Sequence, residues 1–323
     1  MKLLITGGAG YIGSKLVPYL KSLGHTITVI DRFDFGNNLA HLDDVNVIEM
    51  DIFNATVDTF TGYDAVVHLA GLSNDPMANF KPSDNFLENL GGTALVGYLA
   101  RLAGIGKFIF ASSCSVYGSN GRTVSDEMIT PQVDFPYGIS KIQSEHGLNY
   151  LNNNNFRVTN LRQATVFGWA PRMRTDLVVN TMTKTSILDG AIYMNDPKAC
   201  RPLIHIDDLV KVYAKVLEMN NPPSVLNVSA KNYSIGDLAK EIKATLNDKL
   251  PNLTIVDKKL NDPRSYFVDN RLMQGLLGEW EYVTIPQAVN ELITKLPISD
   301  IEGWSNPNYI NVEMYKQRIS KGQ

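Results

Sequence analysis

Short apolar runs alternate with longer amphipathic stretches over the first half of the chain. The amphipathic stretches predict helices that include Ile12–Leu23, about Asp84–Ala103 and about Tyr137–Asn152. The apolar runs predict strands, and most are apolar at nearly every position, which is typical of strands covered by helices on both faces. The pattern therefore predicts an α/β fold with a doubly wound parallel sheet. The predicted strands cover residues 2–6, 26–31, 46–51, 65–70, 107–112 and 157–162.

The alternation loosens after about Gly168, where Pro and Asn become more frequent. Later stretches predict a smaller α/β region, whereas "RPLIHIDDLVKVYAKVLE" followed by "SVLNVSA" predicts a return of the chain to the larger one. We therefore expect two domains that are interleaved in sequence. The larger is expected to comprise residues 1–167 with a return at about 203–230, and the smaller residues 168–202 and 231–323.

The composition is that of a globular protein without a nucleic-acid footprint. The 323 residues are 44% hydrophobic and 20% charged, with a formal net charge of −3 at pH 7. The chain has no basic blocks, so no nucleic-acid partner is expected. No run reaches the roughly 18 consecutive apolar residues that a membrane span needs, and the N-terminus lacks a signal-peptide pattern. We expect a cytoplasmic protein with no membrane partner.

The candidate metal ligands do not form a predicted site. Cys114 and Cys200 have no paired spacing, so neither a disulfide framework nor a zinc cluster is predicted. The five histidines lack the i, i+4 partner of a helical metal site. Asp207 and Asp208 look like paired ligands, but they precede a helical run and are interpreted as N-terminal capping residues. No metal is expected.

A glycine-rich loop joins the first predicted strand to the first helix. In "GGAGYIGS", Gly7, Gly10 and Gly13 permit a tight turn and a close approach to a pyrophosphate at the helix N-terminus. The second strand ends at Asp31, where an acidic side chain would bind the adenosine ribose. A carboxylate there repels a 2′-phosphate, which favours NAD over NADP, although the adjacent Arg32 leaves that choice open.

Polar side chains cluster at the end of the fifth strand and on the helix that follows. "SSCSVYG" directly follows the apolar run "FIFA", which suggests that its side chains point into a site. Tyr137 and Lys141 lie at i, i+4 on one helix face. A neighbouring ammonium, and a positive nicotinamide ring if one is bound, would bring the pKa of a phenol toward the working range of a base.

Four motifs together resemble an extended short-chain dehydrogenase/reductase, the group that includes nucleotide-sugar epimerases and dehydratases. They are "TGGAGYIG" (6–13), "HLAG" (68–71), "SSCSVYG" (112–118) and "YGISK" (137–141), in the family's order and at its usual separations. The resemblance implies a Rossmann-type domain that binds NAD and a smaller C-terminal α/β domain that binds a nucleotide sugar.

The resemblance also implies a set of cofactor contacts. Asp51 and Ile52 resemble an adenine-contacting pair, Leu69–Gly71 would line the cofactor, and Asn89 resembles an Asn of the central helix. With the glycine loop, the expected cofactor-binding residues are Gly7, Gly10, Tyr11, Ile12, Gly13, Asp31, Asp51, Ile52, Leu69, Ala70, Gly71, Asn89, Tyr137 and Lys141.

The catalytic residues implied by the resemblance are Ser113, Tyr137 and Lys141. Tyr137 would be the base, Lys141 its partner and a ribose ligand, and Ser113 the hydroxyl that binds the reacting sugar oxygen. In the 4,6-dehydratases of this group an Asp-Glu pair directly follows that Ser or Thr. Here Cys114 and Ser115 occupy those positions. The dehydratase machinery is therefore absent, and a structural role is favoured for Cys114.

Arginines of the second half resemble the family's diphosphate-binding region, and a guanidinium suits phosphate oxygens. Many relatives have an Asn after the sixth strand, whereas this chain has Thr165. The resemblance therefore does not imply that this protein shares the substrate of the best-known UDP-galactose epimerases. Arg172, in the same segment as Arg174, is a further candidate of the substrate half, and Asn74 or Asp75 could face the sugar. The expected substrate-binding residues are Ser113, Arg174, Asn180, Arg201 and Arg264.

These expectations favour an NAD-dependent nucleotide-sugar epimerase that oxidises a sugar carbon, most simply carbon 4, and then returns the hydride. A nucleotide-sugar dehydrogenase or ketoreductase with net hydride transfer is the alternative, and a 4,6-dehydratase or a catalytically silent NAD-binding protein ranks below both. The resemblance further implies a homodimer formed through the helices near 84–103 and 137–152.

Overall fold

The fold was analysed in a computed structural model that describes residues 1–118, 124–128, 133–260, 264–278 and 280–320. The strands are β1 Lys2–Thr6, β2 Thr26–Asp31, β3 Asn46–Glu49, β4 Ala65–His68, β5 Lys107–Ser113, β6 Val124–Ser125, β7 Arg157–Gln163, β8 Thr165–Phe167, β9 Ala191–Met194, β10 Cys200–His205, β11 Val225–Val228, β12 Lys231–Ser234, β13 Thr254–Asp257 and β14 Phe267–Val268.

The helices are α1 Gly13–Ser22, α2 Val57–Phe60, α3 Asp75–Phe80, α4 Pro82–Asn85, α5 Gly92–Leu102, α6 Pro136–Leu151, α7 Val178–Leu188, α8 Ile206–Glu218, α9 Ile235–Leu246, α10 Arg271–Leu277, α11 Ile285–Lys295, α12 Ile301–Ser305 and α13 Asn311–Ser320. A π-helical segment, Phe86–Gly91, joins α4 to α5. The predicted helices Ile12–Leu23 and about Tyr137–Asn152 are present as α1 and α6, with each end shifted by one residue. The predicted helix at about Asp84–Ala103 is divided among α4, the π-helical segment and α5.

Seven parallel strands form the main sheet, in the order β11-β7-β5-β4-β1-β2-β3. The chain reverses direction along the sheet between β3 and β4, so the carboxyl ends of β1 and β4 meet at a topological switch point, where open α/β sheets bind ligands. The six predicted strands are all in this sheet, and the predicted doubly wound α/β fold is confirmed. The seventh strand, β11, lies in the segment predicted to return.

Two apolar cores correspond to the two regions of the chain. The main sheet is packed between α5 and α6 on one face and α1 and α8 on the other, and central strand residues such as Leu4 and Ile5 are fully buried. Since both faces are covered, β1 and β4 need the uninterrupted apolar runs seen in the sequence. A second core gathers α7, α9, α11 and α12 around Trp304.

The segment predicted to return to the large domain contributes to both regions. β10 pairs with β8 and β12 in a separate three-stranded sheet, whereas α8 packs on α1 and β11 pairs with β7. The domain boundaries given above remain our proposal. In the described part of the chain, no helix is long and apolar enough to span a membrane.

Candidate functional site

The glycine loop brings three strand ends into close contact. Gly7 has a φ of +71°, and a Cβ there would lie 2.6 Å from the backbone nitrogen of Ala70. A Cβ on Gly13 would collide with the carbonyl of Gly8. Only glycine fits these positions, so the loop lies directly against the end of β4 and leaves room for a group as large as a pyrophosphate at the start of α1. The loop therefore fits the dinucleotide predicted from the sequence.

Asp31 lies where the ribose ligand is expected. Its carboxylate accepts hydrogen bonds from the backbone of Ala9 at 2.9 Å and of Phe33 at 2.8 Å, so it ties the glycine loop to the end of β2. Burial raises the pKa of Asp31, and the two backbone donors oppose that rise. The side chain lines the cleft beside the loop.

Arg32 is held by three carboxylates. Its guanidinium lies 2.8 Å from Asp34, 3.2 Å from Asp51 and 2.7 Å from Glu88. The positive charge of Arg32, which left the choice between NAD and NADP open in the sequence, is thus engaged in ion pairs. Together with Asp31, the local charge is acidic, which disfavours a 2′-phosphate.

A single cleft of about 660 Å³ joins the glycine loop to the second region of the chain. Most predicted cofactor-binding residues line it: Gly7, Gly10, Tyr11, Ile12, Gly13, Asp31, Ile52, Leu69, Ala70, Gly71, Tyr137 and Lys141. Among the described residues, Asp51 and Asn89 lie outside the lining. Asp51 accepts from the backbone of Phe53 and pairs with Arg32, and the Asn89 amide donates to the carbonyl of Leu72.

The catalytic candidates converge from β5 and α6. Ser113 ends β5, while Tyr137 and Lys141 occupy the first turns of α6, and all three line the cleft. The Lys141 ammonium donates to the carbonyl of Ala111 at 3.0 Å and lies 5.7 Å from the centroid of the Tyr137 ring. The structure thus brings the predicted hydroxyl, phenol and ammonium to one place.

Burial opposes charge on both members of the Tyr137–Lys141 pair. Burial raises the pKa of Tyr137 and the Asp75 carboxylate raises it further, whereas Arg174 and a hydrogen bond with Ser113 lower it. Burial also lowers the pKa of Lys141 to about 8. A charged phenolate therefore depends on nearby positive charge, which Lys141 supplies when protonated.

The two positions after Ser113 differ in their surroundings. Cys114 is fully buried, its thiol donates to the carbonyl of Arg162, and burial raises its pKa well above the ordinary value. Such a thiol is a poor nucleophile. Ser115 lines the cleft. Neither position offers a carboxylate beside Ser113.

Three predicted substrate-binding arginines, Arg174, Arg201 and Arg264, line the same cleft. Arg174 forms two hydrogen bonds with Asp176, at 2.9 and 3.1 Å. Arg201 lies 5.7 Å from the Tyr266 ring centroid, and Arg264 lies 3.4 Å from the Asp75 carboxylate. Residues 261–263, which directly precede Arg264, lie outside the described residues.

Asn180 is placed differently from the other predicted substrate ligands. It is fully buried, accepts from the Gly168 nitrogen at 3.1 Å and donates to the Arg174 carbonyl at 2.7 Å. In the described part of the chain it is not among the cleft-lining residues. Its amide therefore joins the loop after β8 to the segment that carries Arg174.

Several residues that line the cleft were not among the predicted cofactor-binding or substrate-binding residues. Arg172, Thr165, Asn74 and Asp75 all line the cleft. Arg172 is 4% exposed and packs 4.0 Å from the Phe35 ring centroid. Tyr193 and Lys258 also line the cleft but were not predicted, since their elements are distant in sequence and carry no motif. Tyr266, two residues after Arg264, was missed as well, because only the guanidinium of that stretch was interpreted as a ligand.

The predicted capping role of Asp207 and Asp208 is wrong. His205 caps α8, and its imidazole accepts from the Asp207 nitrogen, so both aspartates belong to the first helical turn. Asp208 is fully buried and accepts from the Trp280 side chain. Asp207 pairs with Lys15 at 2.7 Å, so an ammonium already balances this acidic group.

The fold and cleft define a dinucleotide-binding enzyme with a tyrosine–lysine pair next to a strand-end serine. Residues 3–229 match the NAD dependent epimerase/dehydratase family. The chain belongs to this family, and its cofactor is NAD.

Named relatives are similar over most of the chain. A UDP-glucose 4-epimerase of Corynebacterium glutamicum is 26% identical over 86% of this chain and 90% of its own length. A UDP-glucuronic acid 4-epimerase of Bacillus cereus, solved with UDP-glucuronic acid and NAD, has a TM-score of 0.78 at 23% identity and covers 94% of this chain and 99% of its own. The NAD-dependent NDP-hexosamine 5,6-dehydratase TunA has a TM-score of 0.81 at 21% identity, covering 93% and 99%. The protein is an NAD-dependent sugar-nucleotide enzyme of the epimerase/oxidoreductase type.

Proposed function

We propose that the protein is a nucleotide-sugar 4-epimerase. The observation that carries the proposal is the convergence of Ser113, Tyr137 and Lys141 in the cleft, with Cys114 and Ser115 at the positions where a dehydratase has its acid and base. Relatives named UDP-glucose 4-epimerase support it. The substrate screen therefore begins with UDP-hexoses.

The proposed residues act on one hydroxyl of the sugar. Tyr137 removes its proton, Ser113 hydrogen-bonds the same oxygen, and the Lys141 ammonium stabilises the phenolate. The residues of the glycine loop and Asp31 would hold NAD, which would supply a hydride acceptor that can return the hydride to the same sugar carbon. Tyr137 gives the proton back after the keto-sugar has presented its other face, so the sugar changes configuration without net oxidation.

The arginines of the cleft suit the diphosphate of the substrate. We assign this role to Arg174, Arg201 and Arg264, because all three residues line the same cleft as Tyr137. Phosphate oxygens would compete with the carboxylates Asp176 and Asp75, which hold two of these side chains in place.

The test is turnover of sugar nucleotides by the purified protein. UDP-, dTDP-, GDP- and CDP-sugars are incubated with the NAD-loaded protein, and products are identified by NMR while absorbance is followed at the reduced-nicotinamide band. Formation of the 4-epimer with no net absorbance change supports the proposal. Stoichiometric reduced cofactor would assign a dehydrogenase instead, and loss of water would assign a dehydratase.

A further inference from the structure

The C-terminal helix α13 lies along one edge of the cofactor cleft. It follows the residues that match the family, which end at 229. Tyr315 of α13 is buried with Leu72 and Met77, and Phe35 packs against the same cluster. Leu72 and Phe35 also line the cleft. One face of α13 therefore contacts the other side of residues that form the cleft wall.

An ion-pair cluster fixes the end of α13 to the loop after β2. Arg318 lies 2.9 Å from Asp34 and 3.5 Å from Glu88, which are two of the three carboxylates that hold Arg32. The side chains of Arg318, Asp34 and Glu88 are 19%, 24% and 11% exposed. Pairs this sheltered are screened less by salt than surface pairs.

The loop fixed by this cluster begins at Asp31, the expected ligand of the adenosine ribose. Phe33 has a φ of +57°, a left-handed conformation that non-glycine residues rarely adopt and that the surrounding structure must maintain. Asp34 and Phe35 follow it and line the cleft. Arg318 thus restrains the loop from outside, through Asp34.

The start of α13 is fixed at the opposite, substrate-facing side of the cleft. The Asn311 amide donates to Ser73 at 2.6 Å, and its backbone nitrogen donates to Asp176 at 3.2 Å. Asp176 in turn holds Arg174. The helix therefore spans the cleft edge from the loop after β2 to the arginine segment, with polar contacts at both ends.

We propose that α13 is a strap that retains NAD, and that Arg318 is the positioning residue that closes it. The inference rests on the proposed function, because an enzyme whose cofactor takes a hydride from the sugar and gives it back to the same sugar gains from slow cofactor release. Release of NAD past this edge requires the loop at Asp34 and Phe35 to move, and Arg318 opposes that movement.

The release rate of NAD from the loaded protein tests the strap. NAD-loaded protein is mixed with an excess of an NAD-consuming enzyme as a trap, and the release rate is measured for wild type, Arg318→Ala, Arg318→Lys and Gln317→Ala. Gln317 is exposed on the same helix and is the matched control. We expect about tenfold faster release for Arg318→Ala, the factor that corresponds to one charged hydrogen bond, an intermediate rate for Arg318→Lys, and no change for Gln317→Ala.

The melting temperature of each NAD-free variant separates retention from general stability. An unchanged melting temperature with faster release supports the strap. Equal release rates in wild type and Arg318→Ala overturn it, and so does a faster release that is matched by a lower melting temperature of the NAD-free protein. The epimerase assay is independent: slow release by a wild-type protein with no epimerase activity would reject the proposed function and leave the strap intact.

Discussion

Tyr137 and Lys141 are two buried groups whose charged forms burial disfavours, yet the proposed chemistry needs both charges at once. The solution visible in the structure is proximity: the ammonium lies beside the phenol ring, and Arg174 adds positive charge. A phenolate and an ammonium formed together are less costly than either charge alone.

Replacing Tyr137 by Phe removes the proposed base and retains the ring. We expect turnover to fall by at least about 100-fold, the lower range of general acid–base effects. NAD binding should be retained although Tyr137 lines the cofactor cleft, because its ring stays and the glycine loop is untouched. Turnover and NAD titrations check these values. Turnover near the wild-type rate would remove Tyr137 from the mechanism.

Replacing Lys141 by Met should stabilise the NAD-free protein in a pH-dependent way. Because burial lowers the pKa of Lys141 to about 8, the folded protein at pH 7 keeps an ammonium whose burial is unfavourable. Between pH 8 and the ordinary lysine pKa the folded state binds fewer protons than the unfolded state, so this penalty declines as pH rises.

We therefore expect Lys141→Met to raise the free energy of unfolding by about 1–3 kcal/mol at pH 7, with the difference shrinking toward pH 10. Urea unfolding of both NAD-free proteins at pH 7, 8.5 and 10 measures it. A difference that grows with pH would contradict the argument.

Spacing along one segment was enough to predict some site residues. Asp31 ends a strand and Gly7 begins a turn, so their places follow from local periodicity. The partners of Arg32 come from residues 34, 51 and 88, and two of these carboxylates, Asp34 and Glu88, meet Arg318 only in the folded chain. Likewise, Asn180 could not be distinguished from a ligand until its amide was seen to join Gly168 to Arg174.

At the level of elements, the loop between β1 and α1 has no space for a side chain at Gly7 or Gly13. We expect Gly7→Ala to cost at least about 2 kcal/mol, because it combines a left-handed φ with a collision against Ala70. NAD binding should be lost with it. Chemical unfolding and NAD titration provide the measurements.

Gly275 in α10 provides the matched control for that change. A Cβ there meets no atom within 4 Å, and the residue lies in a helix. Gly275→Ala should stabilise the protein by about 0.5–1 kcal/mol through helix propensity. Equal effects at Gly7 and Gly275 would show that close packing of the loop does not matter.

The positions of the strands were easier to predict from the sequence than the strands with which they pair. The main-sheet strands stand out because burial on both faces demands continuous apolar runs. β10 has a similar run, but it pairs with β8 and β12 rather than joining the main sheet. Pairing depends on contacts between distant segments, which periodicity does not contain.

At the scale of the whole molecule, apolar side chains remain exposed on the two helices that the resemblance assigns to a dimer. Leu87, Tyr98 and Leu102 are 59%, 53% and 54% exposed, and Tyr150 on α6 is 87% exposed. We propose that a second copy covers this face. A cluster of large exposed apolar side chains marks an interaction site more often than a single exposed apolar side chain does.

Tyr98→Glu should convert the proposed dimer into a monomer, because a symmetric interface brings the new charge into apolar contact on both copies. Light scattering after size-exclusion chromatography gives the mass of each species. Val124 is also exposed, at 51%, but lies on β6 away from these helices, so Val124→Glu is the control. A wild-type monomer at micromolar concentration would rule out the dimer.

The position of β11 at the outer edge of the main sheet has a consequence for biosynthesis. β7 pairs with β5 on one side. Among the described strands, only β11 covers its other side, and β11 leaves the ribosome after α7, β9, β10 and α8. Until Val228 has emerged, the nascent sheet presents a bare strand, the usual starting point for aggregation. A chaperone that shields this edge during synthesis would therefore raise the yield of folded protein.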